Sequence, residues 1–210
     1  MPDHSLTPPT VFRRFLALFL GSALCWSMDV GAQPAAARDT AIFAGGCFWC
    51  MEEAYEQIDG VLEVRSGYIG GTVPNPTYRQ VTRGRTGHYE AIEVLFDPAR
   101  VSYAQLVSAF WRNIDPTDAR GQFCDKGDQY RAAIFPRNEE QRTVATAAKA
   151  TLDGQKRFPQ PVAAAIIAAT RFYVAEGYHQ DYYKKNPGRY KFYKFNCGRA
   201  QRLAAVWGEP

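Results

Sequence analysis

Two cysteines three residues apart stand in the run Gly45-Gly46-Cys47-Phe48-Trp49-Cys50-Met51-Glu52. A short apolar strand, Thr40 to Ala44, leads into the glycines, and Phe48, Met51, Tyr55 and Ile58 follow at helical spacing. Cys47 is therefore expected at the first turn of a helix, where unpaired N–H groups and the helix dipole favour an anion. The thiolate is the nucleophilic form, and a free thiol titrating near ~8.5 is only slightly ionised at neutral pH. A helix start that lowers this value makes Cys47 a candidate nucleophile. A buried cysteine is more often just a small core residue; the Gly-Gly turn and the second thiol on the same helix argue against that here. Phe48 and Trp49 place an aromatic wall beside the sulfur, suited to a group the size of a methyl. Phe48 also belongs to the apolar stripe of the helix, whereas Trp49 lies off it.

A second constellation is Thr86-Gly87-His88-Tyr89-Glu90-Ala91-Ile92-Glu93-Val94-Leu95-Phe96. With the period of two of a strand, Glu90 shares a face with Ile92, Val94 and Phe96. Burial among apolar neighbours raises a carboxyl pKa, so Glu90 is expected to hold its proton near neutrality. Glu93 points the other way and reads as an ordinary surface carboxylate; His88 is not assigned a catalytic part. A nucleophilic thiolate, a neutral acid and a methyl-sized aromatic slot suit reduction of a sulfoxide. The thiolate attacks sulfur, the acid protonates the oxygen, and a sulfenic acid is left on Cys47. A second thiol, Cys50 or Cys197, then closes a disulfide, which an external dithiol must reduce.

The elements that carry these groups follow from periodicity. Strands are expected at Thr40–Ala44, Val61–Tyr68, His88–Phe96 and Tyr130–Phe135, with one or two more between Val162 and Val174. Helices are expected behind Cys47, from Ser102 (with Gln105 completing a capping box) through Ile114, and from Asn138 to Leu152, closed by Gly154. A short helix is expected at Tyr178 to Lys185, then a long basic, aromatic coil. The order β-α-β-β-α-β, extended by α-β, is that of an α+β, ferredoxin-like split βαβ two-layer sandwich in one domain.

The chain has 210 residues, 46% of them hydrophobic and 22% charged, and a formal net charge of +4. That is the composition of a globular protein, with no apolar run long enough to span a bilayer. Five cysteines are too few for a disulfide-framework miniprotein. Residues 1–32 read as a cleavable secretory signal: Arg13 and Arg14, an apolar core from Phe15 to Trp26, then Val30-Gly31-Ala32. Cleavage would remove Cys25 and leave a domain over 33–210, periplasmic or secreted, monomeric and without stable membrane insertion.

The cysteine run resembles the signature of the A-type peptide methionine sulfoxide reductases, and the likeness extends roughly from Thr40 to Gly208. It includes Ser66-Gly67-Tyr68-Ile69-Gly70-Gly71, Asn75-Pro76-Thr77-Tyr78, Gln122-Phe123-Cys124-Asp125-Lys126-Gly127, Gln129-Tyr130-Arg131 and Tyr178-His179-Gln180-Asp181-Tyr182-Tyr183. The resemblance implies repair of oxidised methionine: Cys47 as nucleophile, Glu90 as acid, and Tyr78 and Tyr130 orienting the sulfoxide oxygen. It further implies that Asp125 positions the substrate and that Phe48 and Trp49 hold the ε-methyl group. Implied too are the S epimer, free and protein-bound, as substrate; no metal or organic cofactor; and a thioredoxin-like reductant. Within the subgroup carrying Cys at position 50, Cys50 is the implied resolving thiol. Cys197 is then a candidate for a second step that moves the disulfide outward, and Cys124 reads as a buried thiol beside the site.

Three other readings compete. A thioredoxin-like thiol–disulfide oxidoreductase explains Cys47-x-x-Cys50 but not Glu90 on an apolar face. A zinc module would need Cys47, Cys50, Cys124 and Cys197 together. The basic, aromatic segment from Lys184 to Arg202 has the alternation of a single-strand nucleic-acid surface, although a tail packing its aromatics on the domain accounts for it better; no nucleic-acid partner is expected.

Overall fold

The computed structural model describes residues 37–208. The expected signal segment and its cleavage site lie outside the described residues. Strand β1 (Asp39–Gly45) leads into helix α1 (Phe48–Glu56), then β2 (Val61–Ile69), a short α2 (Tyr78–Thr82), β3 (Tyr89–Phe96) and α3 (Tyr103–Arg112). A small hairpin, β4 (Gly121–Gln122) and β5 (Asp125–Lys126), precedes β6 (Ala132–Ile134) and α4 (Glu139–Gly154). Two-residue strands β7 (Ala165–Ile166) and β8 (Tyr173–Val174) are followed by α5 (Tyr182–Lys185), α6 (Pro187–Asn196) and α7 (Arg199–Trp207).

The main sheet runs β7-β6-β1-β3-β2-β8. Its central order, β6-β1-β3-β2 with every neighbour antiparallel, is the split βαβ arrangement. β7 joins the β6 edge in parallel and β8 the β2 edge antiparallel. One sheet face packs against α1, α3 and α4 through Phe43, Ile92, Val94 and Phe96 from strands and Met51, Tyr55, Leu106 and Phe110 from helices. The other face, with Ile42, Ala44, Tyr89, Ala91 and Phe135, is covered by Ala165, Ile167, Ala169 and Phe172.

Local signals account for most boundaries. Ser102 caps α3 by accepting from Gln105 N, while the Gln105 side chain accepts from Ser102 N at 2.9 Å. Asn138 Oδ1 accepts from Gln141 N at the start of α4. The α2 turn has no counterpart in the sequence reading, since five residues are too few for a periodic stripe; Thr77 N–H donates to Gln80 Oε1 at its start. Tyr130 lies in a 3₁₀ turn, Asp128–Tyr130, and the strand begins only at Ala132.

The expected C-terminal coil is instead helical. Pro187 opens α6 at a position where its missing N–H costs nothing. Gly198, at φ +68, turns the chain into α7. Tyr190 is buried in α6 against Cys47 and Cys50, and Trp207 Nε1 donates to Ile114 O at 2.9 Å. The inward face of α6 is made of tyrosines rather than aliphatic residues, so hydrophobic periodicity did not reveal it. Among the described residues no helix is long and apolar enough to cross a membrane.

Candidate active site

Gly46 has φ +82, and a Cβ there would stand 2.6 Å from Gln122 Cβ. Gln122 is fully buried and locked by two bonds to Asp115: Asp115 N–H donates to its Oε1 at 2.8 Å, and its Nε2 donates to Asp115 O at 2.9 Å. The β4–β5 hairpin is thereby seated on the glycine turn, which brings Asp125 to the start of α1. Gly45 is closed in the same way, its Cβ position lying 2.5 Å from Met51 Sδ. Cys47 is the N-cap of α1, with φ −55 and ψ 118, and is 5% exposed.

Glu90 reaches the same point from β3. It is 2% exposed and lies opposite Tyr68 in the β2–β3 register. Phe48 N–H, the first amide of α1, donates to Glu90 Oε2 at 3.3 Å. Glu90 Oε1 is buried and has no hydrogen-bond partner among the described residues. Burial pushes the Glu90 carboxyl up to about 8; the Phe48 amide pulls the other way and the nearby Asp125 carboxylate adds to the rise. The acid therefore carries its proton at neutral pH, as expected from its strand face. Glu93, on the opposite face, pairs with Arg65. His88 is structural: its Nδ1 accepts from Gly71 N at 3.1 Å, and Nε2 lies 2.8 Å from Val73 O.

Cys47, Phe48, Trp49, Tyr78, Glu90, Asp125, Tyr130 and Tyr193 line a cavity of about 60 Å³. Its aromatic walls suit a small apolar group such as a methyl. Trp49 is stacked on Tyr182 at 3.8 Å and 9°, and its Nε1 donates to His179 Nδ1 at 3.1 Å. Burial lowers the His179 pKa, which keeps the ring neutral and able to accept. Burial first, and the Glu90 charge next, hold the Tyr78 and Tyr130 hydroxyls well above their ordinary value, so both remain protonated.

The thiols depart from expectation in two ways. Burial and the neighbouring Cys50 push Cys47 well above the ordinary thiol value. Cys50 is drawn down to about 6, first by the hydrogen bond from Cys47 and further by Arg199, Tyr190 and Lys194. Burial thus works against an anion on Cys47, where a helix N-terminus alone would favour one, while the surroundings of Cys50 favour one there. The first amide of α1 is already engaged by Glu90, which also counts against an anion on Cys47.

The second departure concerns Cys124 and Cys197, which form a disulfide, leaving Cys47 and Cys50 as the free thiols among the described residues. Cys124 is exposed rather than buried, and Cys197 is not available as a thiol while the bridge stands. With those sulfurs bonded to each other, four thiolates cannot assemble around zinc. The bridge borders a larger, open cavity of about 670 Å³ lined by Asp115, Arg120, Phe123, Lys126, Cys197 and Arg202, among others. That cavity holds no free thiol.

Every site residue expected from sequence except Cys50 and Cys197 lines the small cavity; Cys50 sits one helical turn behind Cys47 and Cys197 caps α6. Tyr193 was not foreseen. Its hydroxyl donates to Asp125 Oδ2, and the side chain lines the cavity beside Cys47. Tyr190 and Lys194, also missed, both reach Glu53. In the sequence these tyrosines merge with Phe192 and Phe195, which the fold leaves exposed. The alternation that suggested a stacking surface thus separates into an inward tyrosine face and an outward phenylalanine face.

Comparison with known proteins agrees with this geometry. The family model described as "Peptide methionine sulfoxide reductase" matches residues 39–210. Peptide methionine sulfoxide reductase MsrA of Ligilactobacillus salivarius is 53% identical over 170 residues, spanning 81% of this chain and 98% of the relative. The Listeria innocua protein of the same name is 51% identical over 169 residues, 80% of this chain and 96% of the relative. Among solved structures, methionine sulfoxide reductase A of Corynebacterium diphtheriae superposes with a TM-score of 0.64 at 32% identity, covering 74% of this chain and 77% of that one. Mxr1 of Saccharomyces cerevisiae in reduced form gives 0.63 at 30% identity, covering 74% and 89%. A family match over residues 39–210, with a buried thiol and a neutral acid meeting in a small aromatic cavity, shows that the chain belongs to the peptide methionine sulfoxide reductase family.

Proposed function

We propose that this chain, a methionine sulfoxide reductase, acts on the S-sulfoxide of free and protein-bound methionine through Cys47, Glu90 and Cys50. The observation that carries the reading is the meeting of the buried Cys47 thiol, with Cys50 one helical turn behind it, and the protonated Glu90 in the small aromatic cavity. Phe48 and Trp49 hold the ε-methyl group. The hydroxyls of Tyr78 and Tyr130 and the unpartnered Oε1 of Glu90 face the sulfoxide oxygen, with Asp125 positioning the remainder of the substrate.

In the first step the Cys47 proton passes to Cys50, and the Cys47 thiolate bonds to the sulfoxide sulfur. Glu90 gives its proton to the oxygen, which ends on Cys47 as a sulfenic acid while methionine leaves reduced. Cys50 then attacks the Cys47 sulfur, the S–O bond breaks, and the hydroxide departs as water with the proton Cys50 had taken. The negative charge that began on Cys50 ends on Glu90, which recovers a proton from solvent. No metal or organic cofactor enters these steps.

The Cys47–Cys50 disulfide must be reset by an external dithiol, for which a thioredoxin-like protein has the required chemistry. Both sulfurs are buried, whereas Cys124 is exposed. Cys197 therefore serves as the outward step only after the dithiol has reduced its bridge to Cys124. The freed thiols then exchange with Cys47–Cys50, restoring the bridge and the site dithiol. An exposed disulfide is at home in an oxidising compartment, which supports export by residues 1–32, removal of that segment, and a periplasmic or secreted, monomeric 33–210 domain acting in repair after oxidative stress. Mapping the disulfide by mass after one turnover, before any reductant is added, tests the cycle. A Cys47–Cys50 bond is expected, and an enzyme with Cys47→Ser that still turns over repeatedly would end it.

A further inference from the structure

The hydrogen bond from Tyr193 to Asp125 lies beside the Cys124–Cys197 bridge. Cys124 directly precedes Asp125 in the turn of the β4–β5 hairpin. Cys197, the C-cap of α6, follows Tyr193 by one helical turn, and its N–H donates to Tyr193 O at 2.9 Å. A disulfide and a hydrogen bond thus join the same two elements side by side, with the bridged Cα atoms 4.9 Å apart. Cys124 N–H donates to Cys197 Sγ at 3.2 Å. The Cys124 and Cys197 sulfurs stand 3.7 Å from Asp125 Oδ1 and 4.0 Å from Asp125 Oδ2, respectively. Bonded sulfurs have no proton to give, so among the described residues Tyr193 is the donor to the Asp125 carboxylate. Both residues line the small cavity with Cys47, and the Tyr193 ring meets Trp49 edge-on at 6.0 Å. Elsewhere α6 and α7 are held without covalent help. Tyr190 and Lys194 bond Glu53, Arg202 pairs with Asp115 at 2.6 Å, and Trp207 Nε1 donates to Ile114 O. The bridge therefore fixes one joint, the one at the wall of the cavity.

We propose that Cys124 and Cys197, as a bridge, are positioning residues for the substrate: they clamp Tyr193 onto Asp125 and so set the wall of the cavity that receives methionine sulfoxide. A covalent link beside a weak bond removes most of the ordering cost of that bond, and a preorganised wall binds more tightly than one the ligand must order. The nucleophile and the acid do not depend on the clamp. Cys47 is set by the glycine turn and α1, and Glu90 by β3 and the Phe48 amide. Opening the bridge weakens binding and spares the chemistry. The inference deepens the reading of this site as a methionine sulfoxide reductase and rests on it. In the reset described above, the exchange that restores the Cys47 and Cys50 thiols also recloses the bridge. The substrate wall is thus rebuilt in the step that rebuilds the nucleophile.

The test reads the first step alone, so that resetting the enzyme does not enter. Enzyme with free Cys47 and Cys50, its bridge verified by mass, is mixed with methionine S-sulfoxide without reductant, and the single burst of methionine is timed against substrate concentration. The proteins are the unaltered chain, Cys124→Ala, Cys197→Ala, Tyr193→Phe, and Cys124→Ala combined with Tyr193→Phe. In each single variant the half-saturating concentration should rise roughly 3- to 10-fold, the worth of one hydrogen bond, with the maximal burst rate within about twofold. A merely loosened fold would lower the maximal rate instead. Because bridge and bond act on one joint, the combined variant should be no worse than the poorer single one. An unchanged half-saturating concentration in folded Cys124→Ala and Cys197→Ala overturns the proposal, as do effects that multiply in the combined variant. Should neither cysteine variant fold, Tyr193→Phe with its bridge intact decides: a raised half-saturating concentration supports the clamp, and an unchanged one overturns it. A burst that survives Cys47→Ser would sink the underlying cycle, whereas an unchanged half-saturating concentration sinks only the clamp.

Discussion

Phe48 N–H donates to Glu90 Oε2 at 3.3 Å, tying the buried acid of β3 to the first turn of the helix that Cys47 caps. One carboxyl oxygen is spent on the scaffold; the other is unpartnered. The acid is thus both oriented and left with a free position toward the cavity. The helix amide that a capping thiolate would otherwise use is also occupied, and burial adds to the cost of an anion on Cys47.

Glu90→Gln keeps an oxygen to accept from Phe48 but has no acidic proton to give. Turnover of methionine S-sulfoxide should fall by roughly 10²–10⁴-fold with little change in KM. The unaltered enzyme should lose activity as pH rises through about 8, and that loss should vanish in the variant. Rates measured from pH 6 to 9 check both points.

Cys50→Ser, which removes both the acceptor of the Cys47 proton and the resolving thiol, should release at most one methionine per enzyme, more slowly, and then stop, with the oxygen held on Cys47 as a sulfenic acid. Quench-flow counting of product against enzyme, with trapping of the sulfenic acid by a cyclic diketone, measures this directly. A sustained second turnover at the unaltered rate would remove Cys50 from the cycle.

Trp49 owes its place to the 3.8 Å stack on Tyr182 and the bond to His179. A cavity of about 60 Å³ should favour a methyl over an ethyl sulfoxide by roughly 10-fold or more, the worth of one methylene in a tight apolar slot. Trp49→Ala should narrow that preference and raise KM for the methyl substrate. The ratio of kcat/KM for methionine and ethionine sulfoxides is the measurement.

The Cys124–Cys197 bridge closes a loop of 73 residues. Replacing Cys124 with Ala should lower unfolding stability by about 2–4 kcal/mol, read by denaturant titration without reductant. Adding reductant to the unaltered protein should produce a similar loss, and should change Cys124→Ala very little.

Stability should fall as pH rises from about 4.3 toward 8. Burial raises Glu52 to about 7 and Glu90 to about 8 in the folded protein, while the unfolded chain releases these protons near ~4.3. Across that window the folded state binds more protons, so each unit of pH favours unfolding. Below it the effect reverses: Asp115, Glu176 and Asp181 are lowered in the fold, and their contribution is lost as pH drops through the lowered values. Glu52→Gln should flatten the alkaline decline, as urea unfolding at pH 5 and pH 8 would show.

Much of this site was legible from local chemistry. The Gly-Gly-Cys turn, the apolar stripe of α1 and the period-two face of β3 are one-dimensional signals, because helix and strand geometry are set by neighbours along the chain. Hence the strand–turn–helix around Cys47, the inward Glu90 and the core order of the sheet could be read before any coordinates. What needed the tertiary structure were relationships between segments far apart. Cys124 and Cys197 became a bridge, the C-terminal segment became helices with Tyr190 and Tyr193 turned toward the thiols, and Arg199 arrived against Met51. Which thiol carries the charge depends on which cation and which amide lie closest in space. Burial and Coulomb interactions act across that space, and no spacing along the chain encodes them.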